Sequence, residues 1–397
     1  MTDAAGDAVT VDTLVIGAGP SGLAVAACLG EAGVDHVVLD RATAVGSAWR
    51  THYERLHLHT ARPWSSLPRF PMPKAWPTYP SRAQVVEYLE SYARRFGIAP
   101  RLGATVTRAR RDGERWRVDV DPGPGYLARH LVVATGYNGV PKRPDFPGLD
   151  AFPGEVVHSA TYGSGARFAG KDVLVVGVGN SGGEIAVDLH EHGARPAIVV
   201  RSPVHVVPRD VLGMPIQRTA ILLSRFSPKT QDRLSAPLVR LVMGDLRRFG
   251  FERPARGPME ILTAEGRVPL IDVGTIGLVK KGAIRVTKGV ERVDGDVVRF
   301  VDGQSARFDA IVLATGYRAA LDRFLDGAER VVDDRGYPTV HGAEAQIPGL
   351  YFCGFRNPTT GALRESALEA ERIAAAIAGD QKPTKPTVGA TREAARG

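Results

Sequence analysis

Three glycines, Gly17, Gly19 and Gly22, stand where the apolar run VDTLVIG meets the helix-forming run LAVAACLGEAG, with Pro20 and Ser21 completing the turn. This spacing suits a buried parallel strand that turns sharply into a helix. Gly17 permits the tight turn, Gly19 allows a pyrophosphate to approach the backbone, and Gly22 lets helix and strand pack closely. The helix start adds free N–H donors and the positive end of the helix dipole. A second apolar run, VVLD, ends at Asp40, followed by Arg41. An acid about 20 residues past the turn accepts hydrogen bonds from ribose hydroxyls and disfavours a 2′-phosphate. The first site therefore reads as one for FAD or NAD(H).

Gly177, Gly179 and Gly182 repeat the device, with Asn180 and Ser181 inside it, in the syntax DVLVVG, VGNSG, GEIAVDLHEHG, AIVVRS. One difference is informative: the second strand ends in Arg201-Ser202 rather than an acid. A guanidinium pairs bidentately with a phosphate, so the second site reads as one for NADPH. Two such sites with different ribose preferences imply electron transfer from NADPH to a flavin.

The elements needed to position these turns give an α/β fold of two dinucleotide-binding (Rossmann-like) domains, the NADP domain inserted into the FAD domain. The expected boundaries are 1–165 and 306–380 for the two parts of the FAD domain and 166–305 for the NADP domain. The latter carries a helical insertion at about 214–250, with a break at Pro237. The polar, proline-bearing stretch 381–397 reads as disordered.

With 397 residues, 44% hydrophobic and 24% charged, the chain can bury a large core without metals or disulfides. Its net charge of +8 is scattered in short pairs such as Arg94-Arg95, Arg247-Arg248 and Lys280-Lys281. No aromatic platform accompanies them, so nucleic acid is not an expected partner. The acidic start MTDAAGDAVTVDT is unlike a signal peptide, and no stretch approaches the roughly 18 apolar residues of a membrane span. Only Cys28 and Cys353 are present, so no disulfide framework, CxxC pair or zinc cluster is expected. A soluble, cytoplasmic, metal-free protein is the expectation, with oligomeric state left open and a homodimer among the options.

Between the two glycine turns stand Phe152, Gly154, His158 and Tyr162. They resemble the F-x-G-x-x-x-H-x-x-x-(Y/F) signature of flavin-dependent monooxygenases, the class that includes flavin-containing monooxygenases and the plant YUCCA enzymes. Tyr162 points away from Baeyer–Villiger enzymes, which usually end the signature with Trp. The resemblance runs from about Val11 to Gly379 and is strongest to the YUCCA branch, as in PRFPMPKAWPTYPSRAQVVEYLESYARRF and MGDLRRFGFERPARGPMEI. The two ATGY segments, with Thr135-Gly136 and Thr315-Gly316, resemble the turns that link the nucleotide domains of such proteins. Gly46 and Trp49 resemble a G-G-x-W element against the flavin, with Ser47 in place of the second glycine. GLYFCGF, which includes Gly354, resembles the segment that returns to the isoalloxazine ring.

His59, followed by Thr60, occupies the position where animal relatives carry an Asn near the reactive face of the flavin. The resemblance implies that both could donate hydrogen bonds there. A packed or solvated histidine is the alternative. Arg318-Ala319-Ala320 follows the second ATGY, where many relatives carry an Asn. The implied activity is transfer of hydride from NADPH to FAD, then O₂ activation as a C4a-(hydro)peroxyflavin that oxygenates a small organic substrate. Indole-3-pyruvate is implied by the YUCCA branch, and an amine or a sulfide is the other option. An NADPH oxidase releasing H₂O₂ and a non-enzymatic NADP(H)-binding flavoprotein are the rival readings. A flavin disulfide reductase would need the cysteine pair that the chain lacks.

Overall fold

The computed structural model describes residues 8–380. The stretch 381–397, read as disordered from composition, lies outside the described residues. The first sheet is centred on β1 (Val9–Ile16), which runs parallel to β2 (His36–Leu39) on one side and β5 (Tyr126–Val133) on the other. Val15 faces Val38 across one pair and Val132 across the other. β3 (Thr105–Asp112) and β4 (Arg115–Asp121) extend the sheet as antiparallel strands. β11 (Leu350–Phe352) returns from far along the chain to lie parallel to β5.

Alternation along these strands fills both faces of the sheet. Val15 and Val132 pack with α1 (Pro20–Glu31), α2 (Arg82–Arg95) and α7 (Ala362–Asp380). Leu14, Ile16, Leu131 and Val133 pack on the other side with Trp116, Leu350 and Phe352. Burial on both faces is why β1 and the end of β5 read as continuous apolar runs.

The second sheet is parallel throughout, in the order β9 (Arg285–Thr287), β8 (Arg195–Val199), β7 (Asp172–Val176), β10 (Ala310–Leu313), β6 (Glu155–His158). Helix α3 (Asn180–Glu191) crosses from β7 to β8. The flanking strands β6 and β10 both lie outside the expected range 166–305, as do Leu149 and Phe152 in the sheet's core. β10 lies inside this sheet, between β7 and β6, and β6 forms its edge.

The Phe152–Tyr162 signature has a packing explanation. Phe152 is buried in the second core. A side chain on Gly154 would lie 2.2 Å from the Asp309 carbonyl, so β6 can approach that segment only with glycine there. His158 ends β6, its Nδ1 accepting from the Ala160 N–H and its ring edge-on to Tyr317. Tyr162 donates to the buried Asp188 of α3 at 2.8 Å. The signature is thus accounted for by packing and hydrogen bonds.

The insertion contains α4 (Ile216–Leu223) and α5 (Pro228–Met243), and α6 (Pro258–Glu265) follows it. The expected break at Pro237 is not found: α5 runs through it. A proline inside a helix costs about 3 kcal/mol, so other contacts must hold α5. Ser227 caps its start by accepting from the Thr230 N–H. Asp232, buried on its inner face, accepts from the N–H groups of Met259 and Glu260 and so caps α6. Among the described residues no helix is long and apolar enough to cross a membrane.

Candidate active site at the seam of two nucleotide folds

The two glycine turns are geometric copies. Gly17 and Gly177 both have φ of 114°, and a side chain on either would lie 2.5 Å from a carbonyl, of Ala134 and Ala314 respectively. Those alanines open the two ATGY tetrapeptides, so each ATGY closes its turn from behind, Gly136 and Gly316 following with φ of 73° and 79°. Gly22 and Gly182 would collide with the carbonyls of Gly17 and Gly177 if either carried a Cβ. Gly19 and Gly179 differ in kind. Both have extended backbone that any residue adopts, and nothing lies within 4 Å of a Cβ built on them. Folding does not require glycine at these two positions, but open space before a helix start does if a phosphate is to enter it. Neither α1 nor α3 has a side-chain cap, so their first N–H groups are free for an anion. Pro20 and Ser21 open α1, and Asn180 accepts from the Ile271 N–H while Ser181 follows it at the start of α3.

The residues that would read the riboses are also in position. Asp40 accepts from the N–H groups of Ala18 at 2.6 Å and Ala42 at 2.8 Å, which ties the end of β2 to the first turn. A carboxylate has about four lone-pair sites, so acceptor capacity remains for ribose hydroxyls. Arg41 beside it is exposed. Arg201 and Ser202 are exposed at the end of β8, and among the described residues no carboxylate pairs with Arg201. A guanidinium left uncommitted in this place fits a 2′-phosphate.

The remaining residues expected to contact cofactor are held by local packing and hydrogen bonds. Gly46, with φ of 68°, donates to the Ala18 carbonyl, and Trp49 packs against the cores of both units. Thr135 is exposed beside the first turn, and the Thr315 hydroxyl donates to the Lys142 carbonyl. A side chain on Gly354 would lie 1.9 Å from Ser21 Oγ, so the late segment passes tightly over the start of α1. These residues fit FAD in the first fold and NADP(H) in the second.

His59 is not a free imidazole. Its Nε2 lies 3.1 Å from Oε2 of Glu184, a residue of α3 only 2% exposed. Glu184 also accepts from the Tyr53 hydroxyl at 2.8 Å and sits 3.6 Å from Arg55. Burial, and then the Glu184 charge, push the Tyr53 hydroxyl well above its ordinary range. Thr60 pairs with the Ser65 hydroxyl at 2.8 Å. The next residue, Ala61, donates its N–H to Oε1 of Gln217 at 2.7 Å, while Gln217 Nε2 donates to the Thr360 carbonyl at 2.7 Å. Gln217, 3% exposed on α4, thus clamps the His59–Thr60 loop to the segment that leads into α7.

Glu184 and Gln217 were invisible to motif reading. Glu184 could be suspected only as an acid two residues past Gly182, and Gln217 stands in a run of polar residues, Gln217-Arg218-Thr219, that does not single it out. A groove of about 460 Å³ opens beside them, lined by Arg55, His57, Tyr79, Glu184 and Arg209 among others. The thiols take no part. Burial pushes Cys28 up to about 12 and Cys353 well above its ordinary range, which leaves no reactive thiolate.

The family whose sequence profile matches residues 14–211 is described as pyridine nucleotide-disulphide oxidoreductase. Indole-3-pyruvate monooxygenase YUCCA1 of Oryza sativa subsp. japonica is 44% identical over 348 residues, covering 86% of this chain and 86% of that protein. The chain belongs to the YUCCA-like family of flavin-dependent monooxygenases. Indole-3-pyruvate monooxygenase YUCCA6 of Arabidopsis thaliana is 41% identical over 92% of this chain and 90% of its own. A solved flavin-containing monooxygenase from Stenotrophomonas maltophilia is 26% identical, with a TM-score of 0.70 over 92% of this chain and 99% of that one. A cyclohexanone monooxygenase mutant from Rhodococcus sp. Phi1 bound to NADP+ shares the fold, with 23% identity and a TM-score of 0.73 over 94% of this chain and 86% of that one. For a YUCCA-like monooxygenase two buried, free cysteines are no anomaly, since no disulfide is exchanged.

Two substitutions at the first turn separate folding from binding. Gly22→Val should fail to give folded protein, because its side chain meets the Gly17 carbonyl. Gly19→Val should fold, with wild-type circular dichroism, but purify without flavin absorbance, because its side chain enters only the pyrophosphate space. At the second fold, Arg201→Ala removes one charge-assisted phosphate pair, worth about 1.5–3 kcal/mol, or roughly 10- to 150-fold. KM for NADPH should rise by that order while KM for NADH stays nearly constant in steady-state assays.

Proposed function

We propose that this monooxygenase uses NADPH and FAD to oxygenate a 2-oxo acid such as indole-3-pyruvate. The observation that carries the reading is the pair of copied glycine turns, one beside Asp40 and one beside an uncommitted Arg201, brought to a common seam where His59 meets α3. The choice of a 2-oxo acid draws support from relatives named indole-3-pyruvate monooxygenases at 41–44% identity over most of their length.

FAD, when bound, supplies hydride acceptance and O₂ activation. The protein supplies position, charge and exclusion of water. The N–H groups at the start of α1 would hold the pyrophosphate of FAD, and Asp40 would hold its ribose. The start of α3 would hold the second pyrophosphate, and Arg201 with Ser202 would hold the 2′-phosphate of NADPH. The loop that carries His59 and Thr60 is pinned by Gln217 and followed by a segment that Arg62 closes on itself by donating to the Pro73 and Trp76 carbonyls. A closed loop of this kind keeps water and stray protons from the reacting centre. His59 would hydrogen-bond there, through the ring nitrogen that Glu184 does not occupy, after O₂ has reacted, so its role falls on product formation and not on the earlier hydride transfer.

Anaerobic reduction by NADPH, followed by mixing with O₂ in the presence of a 2-oxo acid, an amine or a sulfide, tests the reading. Product from the 2-oxo acid with loss of its carboxyl supports it. Product only from the amine or sulfide overturns the substrate class, and H₂O₂ as sole product with every compound makes the protein an oxidase. His59→Ala should keep its FAD and its anaerobic rate, yet yield roughly tenfold less product per NADPH, the loss of about one charge-assisted hydrogen bond. Slower anaerobic reduction would assign His59 to the nicotinamide instead.

A further inference from the structure

We propose that Glu184 is the positioning residue for His59: its carboxylate fixes which imidazole nitrogen carries the proton and ties that ring to the helix that receives NADPH. The inference rests on the role given to His59 above. A carboxylate accepts and never donates, so the Nε2 within 3.1 Å of Glu184 must be the protonated nitrogen. Nδ1 is then the nitrogen that Glu184 leaves free for another hydrogen bond. The arrangement follows the logic by which a buried acid orients a working histidine elsewhere in enzymes.

The burial of Glu184 argues against a bystander role. A carboxylate only 2% exposed is costly unless several donors hold it, and three groups converge on this one: Tyr53, His59 and Arg55. Docking of α3 does not by itself require it. Asp188, one turn further on, already accepts from the Tyr162 hydroxyl at 2.8 Å and the Gly165 N–H at 2.7 Å. Glu191 accepts two hydrogen bonds from Arg55, at 2.7 and 3.0 Å. Of the three acids on this side of the helix, Glu184 alone reaches the candidate catalytic ring. It also lies two residues beyond Gly182, next to the N–H groups that would receive the pyrophosphate. Displacement of the helix start would therefore be felt at His59.

The test uses the FAD-loaded, full-length protein. Nitrogen NMR of ¹⁵N-histidine-labelled protein, with His59 assigned by its loss in His59→Ala, should show the proton on Nε2 in the wild type. In Glu184→Met that preference should be lost. Product per NADPH should fall about tenfold, as expected for loss of the His59 contact, while the Kd for NADP⁺ stays within about twofold. The double variant His59→Ala/Glu184→Met should be no worse than His59→Ala alone, because both changes remove one function. Tyr53→Phe deletes another hydrogen bond to Glu184 but spares the pair with His59, so its product yield should stay near wild type. Should Glu184→Met fail to fold, Glu184→Gln replaces it: loss of the charge should lower product yield and leave Kd for NADP⁺ unchanged. A wild-type ring protonated on Nδ1, additive losses in the double variant, or equal losses in Tyr53→Phe would each overturn the proposal. If His59→Ala keeps full product yield while the ring signal still responds to Glu184, the role given to His59 fails and the pairing of the two residues stands.

Discussion

Two carbonyl oxygens set the terms for the rest of this protein. Those of Ala134 and Ala314 lie where side chains on Gly17 and Gly177 would be, so each strand end can press against its glycine turn only because no Cβ is there. That approach brings β1 beside β5 and β7 beside β10, and it aims the starts of α1 and α3 into open space. With no side-chain cap at either start, the free N–H groups and the helix dipole form two anion sites from backbone alone. The ATGY repeat, which carries no chemistry of its own, is the other half of this contact.

A second constraint joins the two folds. The carboxylates of Glu184, Asp188 and Glu191 run along one side of α3, and each finds its donors outside the second sheet: Tyr53 and His59, Tyr162 and Gly165, Arg55. Two of these acids are almost wholly buried, and a buried charge tolerates little change in its partners. The seam is therefore specified by paired hydrogen bonds as well as by apolar packing around Trp49 and Tyr162. Gln217 does similar work from the insertion, holding the backbone of the His59 loop and the approach to α7 with one side chain. A monooxygenase needs such rigidity, because its reactive centre must stay closed to water between two separate chemical events.

What the sequence alone determined were the features governed by local rules. The period of apolar runs and the glycine spacings mark two nucleotide folds, and the charge that follows each second strand, Asp40 against Arg201, sets them apart, since each feature depends on residues within about 30 of one another. Tertiary structure decided the rest. β6 and β10 join the second sheet through partners more than a hundred residues apart, which no local pattern announces. Pro237 lies inside α5, a helix tied to the start of α6 through Asp232, a contact no local pattern shows. His59 could be found from the sequence, but its partner could not, because Glu184 lies 125 residues away and resembles any acid on a helix surface until the second fold docks and excludes water from it.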